Sequence, residues 1–567
     1  MPKPFSPPSA GLLLPVFALR EAGELGIGDA VSMRDAIDFC AGQGFKVLQV
    51  LPVNETGGDN SPYNAISAAA LEPSLLRLAP DEVPGLLDEH LKALAHREMH
   101  EEIEGPAVNY PVVKRLKLDL LRLAFAHFEN GTKAEAKELE AFRAENAVWL
   151  VPYTLFRTLL DRHHGDDRWP LWNPALRTPP EAEAWAAALP DAEREEMAEH
   201  RRFYAFVQWI AYRQWGRTKK HADKRGVKLM GDIPFGVSRY SADVWANQAL
   251  FDLTWSGGAP PEKFFQTDRF TARWGQNWGI PVYPWDEHKA TRYAWWKQRV
   301  AATCRIFHAF RIDHVLGFFR VYSFPWTPER NAEFTDLSEE EAAHHAGGRL
   351  PRFVPRPDEP EELGALNAAD GKALLSMILE AADGSWVVAE DLGLVPNYVR
   401  PLLQELNIPG FTIPTFERNE ADQSYKAQET YPAINLATYA THDHDPLATL
   451  YERMVAHWTG PDGDNGWREI QRLMDYLGWK HEDAPRLFTE SLHRRFMEVL
   501  LQSPCWLALF MITDLLGTKQ RFNEPGLVGS SNWSQRLDRP LKAFLDDPSY
   551  GRRVRDCAEL IKQTGRA

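Results

Sequence analysis

The stretch HAFRIDHVLGFFRVYSFP, residues 308–325, is the most informative part of the sequence for the fold. An apolar run of strand length, with Phe310 and Ile312, is interrupted and followed by charged side chains. Arg311 and Asp313 stand two positions apart and so share one face of a strand, and charged groups in so apolar a setting are costly. An arginine can hold such a carboxylate ready as a nucleophile. A partly buried structural ion pair explains this segment equally well.

Short apolar runs that end in polar residues recur along the chain. A run from Val227 precedes Gly231 and Asp232, SWVVAEDLG ends in Glu390 and Asp391, LATYATHDHD ends in His442 and Asp443, and LALFMITDLLG begins at Leu507. Strands that alternate with helical stretches and carry polar residues at their carboxyl ends are typical of a TIM barrel. We therefore predict an α/β fold, a (β/α)8 barrel, in which Asp313, Glu390 and Asp443 converge.

The first part of the chain fits such a barrel. GLLLPVFALREAGELGIGD, residues 11–29, is interpreted as a glycine-punctuated loop, and the next segment shows apolar residues at helical spacing. FKVLQVLPV, residues 45–53, predicts a buried parallel strand. The polar loop after it contains Tyr63, a candidate substrate contact.

Two segments differ in character from the barrel strands. Residues of about 80–225 are rich in charge, alanine and leucine at helical spacing, which predicts a largely helical insertion. Residues of about 325–370 are rich in Glu, Pro and His and predict a polar insertion between barrel strands. We expect residues 1–567 to form a single catalytic barrel with these insertions.

Charge and aromatic content narrow the class of ligand. The net charge is −15, with 79 acidic against 64 basic residues and no basic run, which argues against nucleic acid and anionic membranes as partners. A neutral substrate fits better. Many of the 20 tryptophans fall in polar loops, and an indole face suits the C–H face of a sugar ring. Packing beneath long loops accounts equally well for about half of them.

The spacing of the cysteines and the length of the apolar segments indicate where in the cell the protein is expected. The four cysteines have no paired spacing, so neither a disulfide framework nor a zinc site is expected. We see no signal peptide and no apolar segment near the roughly 20 residues of a membrane span. The chain is therefore expected to be cytoplasmic.

Carboxylates on several strand ends suit glycosidic chemistry. Cleavage of a glycosidic bond with retention of the anomeric configuration needs a nucleophilic carboxylate and a protonated carboxylic acid about 5–5.5 Å apart. Like charges at that range raise one pKa, which keeps the acid protonated while the other group stays ionised. A third carboxylate can hold the ring hydroxyls as the sugar distorts.

Six strings occur in the order and context of a known family. GDIP, WGQNWGIPVYPWD, FRIDHVLGFFR, AEDLG, THD and SNWSQRL resemble the 4-α-glucanotransferases, the amylomaltase or disproportionating-enzyme family of the α-amylase clan. The similarity spans residues of about 10–540. It implies transfer of α-1,4-glucan segments between malto-oligosaccharides, maltose or a branched glucan such as glycogen, by a retaining mechanism without cofactor or metal.

The resemblance also implies residue roles. Asp313 would be the nucleophile, Glu390 the general acid and base, and Asp443 the transition-state stabiliser. Implied substrate contacts are Tyr63, Asp232, Gln276, Trp278, Arg311 and His442. Residues 257–279 resemble the flexible loop that covers the donor chain.

The sequence departs from the family pattern after THD. The family usually continues with asparagine or a small residue and then threonine, whereas this chain has His444, Asp445 and Pro446. This departure bears on the acceptor side more than on the chemistry. The opening LPVNET leans toward the branch that uses maltose and a branched glycan.

Three rival functions stay open on the sequence. A retaining α-glucan hydrolase would use the same carboxylates. The run from His442 to Asp445 suggests a metal-dependent barrel hydrolase, although the first predicted strand carries no histidine. A glucan-binding protein that kept the fold without catalysis is the third.

Overall fold

The structure, a computed structural model, describes residues 7–95, 100–128, 133–262, 268–525 and 531–567. Within these ranges the strands are β1 (Ser9–Leu13), β2 (Val47–Gln49), β3 (Lys228–Ile233), β4 (Asp252–Ala259), β5 (Gln276–Val282), β6 (Ala309–Ile312), β7 (Val321–Phe324), β8 (Arg352–Val354), β9 (Trp386–Ala389), β10 (Phe411–Thr412), β11 (Leu436–Ala437) and β12 (Leu507–Met511).

Eight parallel strands form a barrel. They hydrogen-bond in the order β10, β11, β12, β1, β2, β3, β6, β9. The two end strands meet where the amide of Ala389 donates to the carbonyl of Pro409 over 2.8 Å, which nearly closes the barrel. Barrel strands are covered on both faces, and β12 accordingly reads LALFM with every residue buried. The predicted (β/α)8 fold is confirmed.

Helices surround the barrel. In the described ranges they are α1 (Ser32–Gln43), α2 (Asp88–Ala95), α3 (His100–Ile103), α4 (Tyr110–Phe128), α5 (Lys133–Glu145), α6 (Ala147–Arg162), α7 (Pro179–Ala187), α8 (Asp191–Arg225), α9 (Ala242–Ala246), α10 (Arg269–Trp274), α11 (Trp285–Ala290), α12 (Ala294–Ile306), α13 (Asn331–Phe334), α14 (Glu339–His345), α15 (Glu361–Ala381), α16 (Val399–Glu405), α17 (Leu447–Thr459), α18 (Gly463–Leu477), α19 (Glu490–Leu501), α20 (Ile512–Leu516), α21 (Leu541–Asp546) and α22 (Tyr550–Gln563). None of the helices described here combines the length and apolar character needed to cross a membrane.

The helices α2 to α8 lie between β2 and β3 along the chain. Their apolar residues recur every three or four positions and are buried, as on α4, where Leu116 and Leu120 are covered. Leu123, which shares that spacing, is 45% exposed and lies off the buried face. The longest helix, α8, buries Phe203 and Phe206.

A second, antiparallel sheet has the strand order β5, β4, β7, β8. It packs against a separate aromatic cluster in which the rings of Trp326 and Phe334 stack at 3.7 Å. Trp274 belongs to this cluster and meets Trp326 edge to face. The sheet therefore has its own small core, and β5 carries Gln276 and Trp278.

The strand predictions were wrong in several details. The segment interpreted as an opening loop overlaps β1, whose apolar residues pair with both β12 and β2. The two-residue strand β10 was not predicted. Gly231 and Asp232 lie within β3 instead of after it, and β11 ends at Ala437, well before Asp443.

Gly231 shows why β3 can approach its neighbours closely. A Cβ atom at this position would lie 2.3 Å from the ring of Phe307, which no side chain can tolerate. The missing side chain lets β3 align with β6 so that Asp232 becomes the direct neighbour of Arg311. The local sequence thus sets the first contact of the site.

Candidate active site

Three carboxylates from different strands line one cavity of about 1400 Å³. Asp313 directly follows β6, and Glu390 directly follows β9. Asp443 lies in the loop beyond β11. The carboxyl ends of parallel barrel strands share one rim, and this rim collects the three acidic groups that the sequence singled out.

Asp313 and Glu390 are neighbours because their strands are in register. Ile312 of β6 pairs with Ala389 of β9, and each carboxylate is the next residue along its strand. The backbone N–H of His314 donates to Oε2 of Glu390 over 2.7 Å. Adjacent strands lie about 4.8 Å apart, close to the separation of about 5–5.5 Å between the carboxyl groups of retaining glycosidases.

Arg311 joins Asp313 on the cavity wall to Asp232, a predicted substrate contact that is fully buried and does not line the cavity. Its Nη2 donates to Oδ1 of Asp313 over 2.7 Å, and its Nη1 donates to Oδ2 of Asp232 over 2.5 Å. The hydroxyl of Tyr63 donates to that same Asp232 oxygen over 2.8 Å. The guanidinium is buried, while the Asp313 side chain keeps 28% of its surface exposed. The charge of Arg311 favours the ionised form of Asp313, which stays partly open to a ligand.

The pKa values of the two neighbouring carboxyl groups are pushed apart. Burial raises the pKa of Glu390 to about 8; the charge of Arg311 opposes this shift and that of Asp313 adds to it. Burial raises the pKa of Asp313 to about 6, again opposed by Arg311. Near neutral pH, Glu390 therefore holds a proton while Asp313 is mainly ionised, which suits a general acid beside a nucleophile.

Asp443 is held permanently as a carboxylate. Burial by itself would raise its pKa, but the charge of His442 and hydrogen bonds from His442 and Asn523 outweigh burial and hold the pKa below its usual value. Nε2 of His442 lies 3.1 Å from one carboxylate oxygen. Nδ2 of Asn523 donates to the other oxygen over 2.6 Å. This group cannot serve as an acid, but it can stabilise positive charge.

Aromatic rings form one wall of the cavity. Tyr63 and His442 stack with their ring centres 5.1 Å apart, and both rings lie within 6 Å of Trp533. The cluster joins the loop after β2 to the loop after β11. Two of the predicted substrate contacts, Tyr63 and His442, therefore lie together.

The predicted contacts on β5 also reach the cavity. Gln276 and Trp278 both line it, and the indole N–H of Trp278 donates to Oε1 of Gln276 over 3.1 Å. The Trp278 ring meets the His314 ring edge to face at 4.8 Å. Trp274 and Trp285, two further tryptophans of the same part of the sequence, do not line the cavity. Residues 263–267 of the predicted covering loop lie outside the described residues.

Sequence reasoning missed two residues that hold Asp443. Asn523 contacts its carboxylate, and Nη2 of Arg521 donates to its backbone carbonyl over 2.9 Å. Both follow β12, the eighth barrel strand. The rule that every strand-end loop can contribute to the site was the one signal that pointed there.

The run from His442 to Asp445 does not form a shared ligand set. Nη1 of Arg521 donates to Oδ1 of Asp445 over 2.7 Å, and Arg453 pairs with the other oxygen of that carboxylate. Across the part of the chain that the structure describes, no group of three His, Cys, Asp or Glu side chains is placed to bind a metal ion.

The structure combines a TIM barrel with an aromatic-lined cavity that holds three carboxyl groups, two of them paired and in opposite protonation states. These features define the class of barrel enzymes that act on glycosidic bonds through two carboxyl groups.

Comparison with known proteins narrows this class. A family model described as 4-alpha-glucanotransferase matches residues 14–542. The 4-alpha-glucanotransferase of Thermus thermophilus is 30% identical over 98% of this chain and 99% of its own. That of Chlamydia caviae is 28% identical over 98% and 95%. The chain belongs to the 4-alpha-glucanotransferase family.

Solved structures agree on the fold. The amylomaltase from Streptococcus agalactiae in complex with acarbose is 22% identical, with a TM-score of 0.74 over 99% of this chain and 100% of that one. The amylomaltase from Corynebacterium glutamicum is 20% identical, with a TM-score of 0.76 over 98% of this chain and 76% of that one.

Proposed function

We propose that this protein is a 4-α-glucanotransferase that moves α-1,4-glucan segments from a malto-oligosaccharide donor to the 4-hydroxyl of an acceptor glucan or glucose. The observation that carries the proposal is the pairing of Asp313 and Glu390 at one register position of neighbouring strands, joined through the amide of His314. Family membership supports the same activity. Retention through a covalent intermediate follows from the side-by-side carboxyl groups.

The first half-reaction forms a glycosyl-enzyme. A carboxylate oxygen of Asp313 attacks the anomeric carbon, and the bond from that carbon to the bridging oxygen breaks. The proton of Glu390 goes to the bridging oxygen, which leaves as the 4-hydroxyl of the departing sugar. Asp443 stabilises the positive charge that develops on the ring.

The second half-reaction releases the segment to an acceptor. The ionised Glu390 removes the proton from an incoming 4-hydroxyl, whose oxygen attacks the anomeric carbon. The ester bond to Asp313 breaks and its electron pair returns to the carboxylate. Arg311 supports that leaving group through the 2.7 Å contact, and the enzyme regains its starting protonation state.

The cavity is large enough for an oligosaccharide or polysaccharide chain. A volume of about 1400 Å³ exceeds the roughly 300–1,000 Å³ of sites for single small ligands. We propose malto-oligosaccharides, maltose and branched glucans such as glycogen as substrates. A maltose-using transferase to a branched glycan and a retaining hydrolase are the alternatives that the same carboxylates allow.

We propose that residues 1–567 act as one catalytic unit. The inserted region of about 80–225 would support the barrel without taking part in the reaction, because none of its described residues lines the cavity. The region of about 325–370 does reach the cavity, through Phe353. All four cysteines are unpaired, which supports a reducing compartment such as the cytoplasm.

Incubation with maltotriose alone tests the proposed activity. Transfer of maltosyl or glucosyl units between substrate molecules should produce a ladder of longer and shorter oligosaccharides together with glucose. Chromatography of the products over time resolves that ladder. Products no longer than the substrate at every time point would contradict transfer.

The pH dependence of kcat/KM should be bell-shaped, with limbs near pH 6 and pH 8. Activity falls below the lower limb because Asp313 becomes protonated, and above the upper limb because Glu390 loses its proton. The two groups interact, so the limbs belong to the pair. Initial rates with maltotriose check this, and a profile that stays flat from about pH 7 to about pH 10 contradicts the role of Glu390.

Trp278→Ala should lower the ratio of transfer to hydrolysis by about threefold or more, because the indole shields the site and helps to orient the acceptor. The Trp278 side chain is 38% exposed at the cavity wall. Transfer is measured as chain elongation, and hydrolysis as the gain in reducing ends. Trp467→Ala, in a helix that does not line the cavity, is the matched control. An unchanged ratio in Trp278→Ala would remove this tryptophan from the acceptor surface.

A further inference from the structure

We propose that His444 is a substrate-binding residue whose Nε2–H donates a hydrogen bond to an oxygen of a glucosyl unit at or next to the carboxylates. The proposal rests on the proposed function, because it takes the ligand of the cavity to be an α-glucan. It concerns the position at which the sequence departs from the family pattern after Asp443.

His444 is placed to reach a bound glucan. It is the residue after Asp443, and its half-buried side chain lines the same cavity. Its ring centre lies 5.5 Å from that of Phe416, which also lines the cavity, from the loop beyond β10.

The hydrogen bonds of His444 fix its tautomer. The backbone N–H of Thr441 lies 3.2 Å from Nδ1 of His444, and the Thr441 hydroxyl oxygen lies 2.8 Å from the same atom. An amide N–H can only donate, so Nδ1 must accept and cannot carry a proton. Burial lowers the pKa of His444 to about 4, which keeps the ring neutral at pH 7. The single ring proton therefore lies on Nε2.

The Nε2–H group has no hydrogen-bond partner among the residues that the structure describes. The half-buried side chain lines the cavity, so this donor is available to a ligand that enters it. An α-1,4-glucan offers an acceptor oxygen at every hydroxyl and every glycosidic link. Binding of a glucosyl unit would therefore satisfy a donor that the protein leaves open.

Arg521 makes this donor rigid. Its guanidinium contacts the chain on both sides of His444, with Nη2 bound to the carbonyl of Asp443 and Nη1 bound to the carboxylate of Asp445. Asp445 is also paired with Arg453. A donor whose backbone and ring are both fixed loses little entropy when a ligand binds, so it discriminates well between ligand geometries.

Two substitutions separate the functions of the two ring nitrogens. The oxygen of His444→Asn can reach the Nδ1 position and keep the contact with Thr441, but no donor then reaches the Nε2 position. The longer side chain of His444→Gln places an amide N–H near the Nε2 position. Melting temperatures of both variants show whether the fold is kept, and His457→Asn, at an exposed position of α17 outside the cavity, is the matched control.

Calorimetric binding of acarbose, a glucan mimic, gives a readout that does not depend on turnover. We expect His444→Asn to weaken binding about five- to tenfold, while His444→Gln and the control stay within about twofold of the parent protein. Equal affinity in all variants, or equal weakening of both His444 variants, would overturn the assignment. Failure of the parent protein itself to bind acarbose or to elongate maltotriose would instead overturn the proposed function.

Discussion

Asp313→Asn should reduce transfer from maltotriose by about 10⁴-fold or more, because the covalent intermediate can no longer form. The amide keeps the size of the side chain, and Arg311 keeps its contact with Asp232. The fold should therefore persist, with a melting temperature close to that of the parent protein and acarbose still bound. Initial rates of glucose release measure the loss.

Asp59→Asn provides the matched control for this variant. Asp59 also lines the cavity, but its side chain is bound to Asn64 in the loop after β2. The same chemical change there should leave the rate within about threefold of the parent. Residual activity of Asp313→Asn within about tenfold of the parent would assign the nucleophile to another group.

Glu390→Gln should lower the rate with donors whose leaving group needs a proton and spare donors whose leaving group does not. With maltotriose the rate should fall by about 10²–10⁴-fold, because the departing sugar needs protonation. With a maltosyl fluoride donor, glycosyl-enzyme formation should stay within about tenfold of the parent, since fluoride leaves without it. The burst of fluoride release measures this first step. In the parent protein, the fall in kcat/KM above the upper pH limb should disappear when the fluoride is the donor.

Asp443→Asn is the comparison for the Glu390 variant. A group that stabilises charge on the sugar ring acts on every donor, so this variant should lose rate with maltotriose and with the fluoride alike. Equal losses on both donors in Glu390→Gln would show that Glu390 acts in some other way than as an acid.

The sequence predicted the strand ends that carry Asp313 and Glu390 because the physical signal there is local. In both places a buried apolar run stops at a charged residue, and the strand stops there as well. The signal is weaker for Asp443, where β11 has only two residues and a loop carries the carboxylate. A short strand in a barrel is defined by its neighbours more than by its own sequence.

Long-range contacts explain what the sequence could not predict. Trp274 and Trp278 stand in one polar stretch, yet Trp274 packs beside Trp326 while Trp278 faces the cavity. The amide of His314 that contacts Glu390 is a backbone group, so the contact cannot be predicted from residue types. Asn523 lies in a loop and reaches Asp443 only because the barrel closes. Such contacts follow from the fold and not from local pattern.

Transfer in preference to hydrolysis distinguishes a glucanotransferase from a retaining hydrolase that uses the same carboxylates. Water is present at about 55 M, so a sugar hydroxyl can compete for the glycosyl-enzyme only if the site orients it, and orientation can supply effective molarities of about 10⁵ M or more. The decisive measurement follows total reducing ends and released glucose together while the protein acts on maltotriose. We predict that glucose accumulates with little net gain in reducing ends; reducing ends that rise as fast as glucose from the start would show that the protein is a hydrolase.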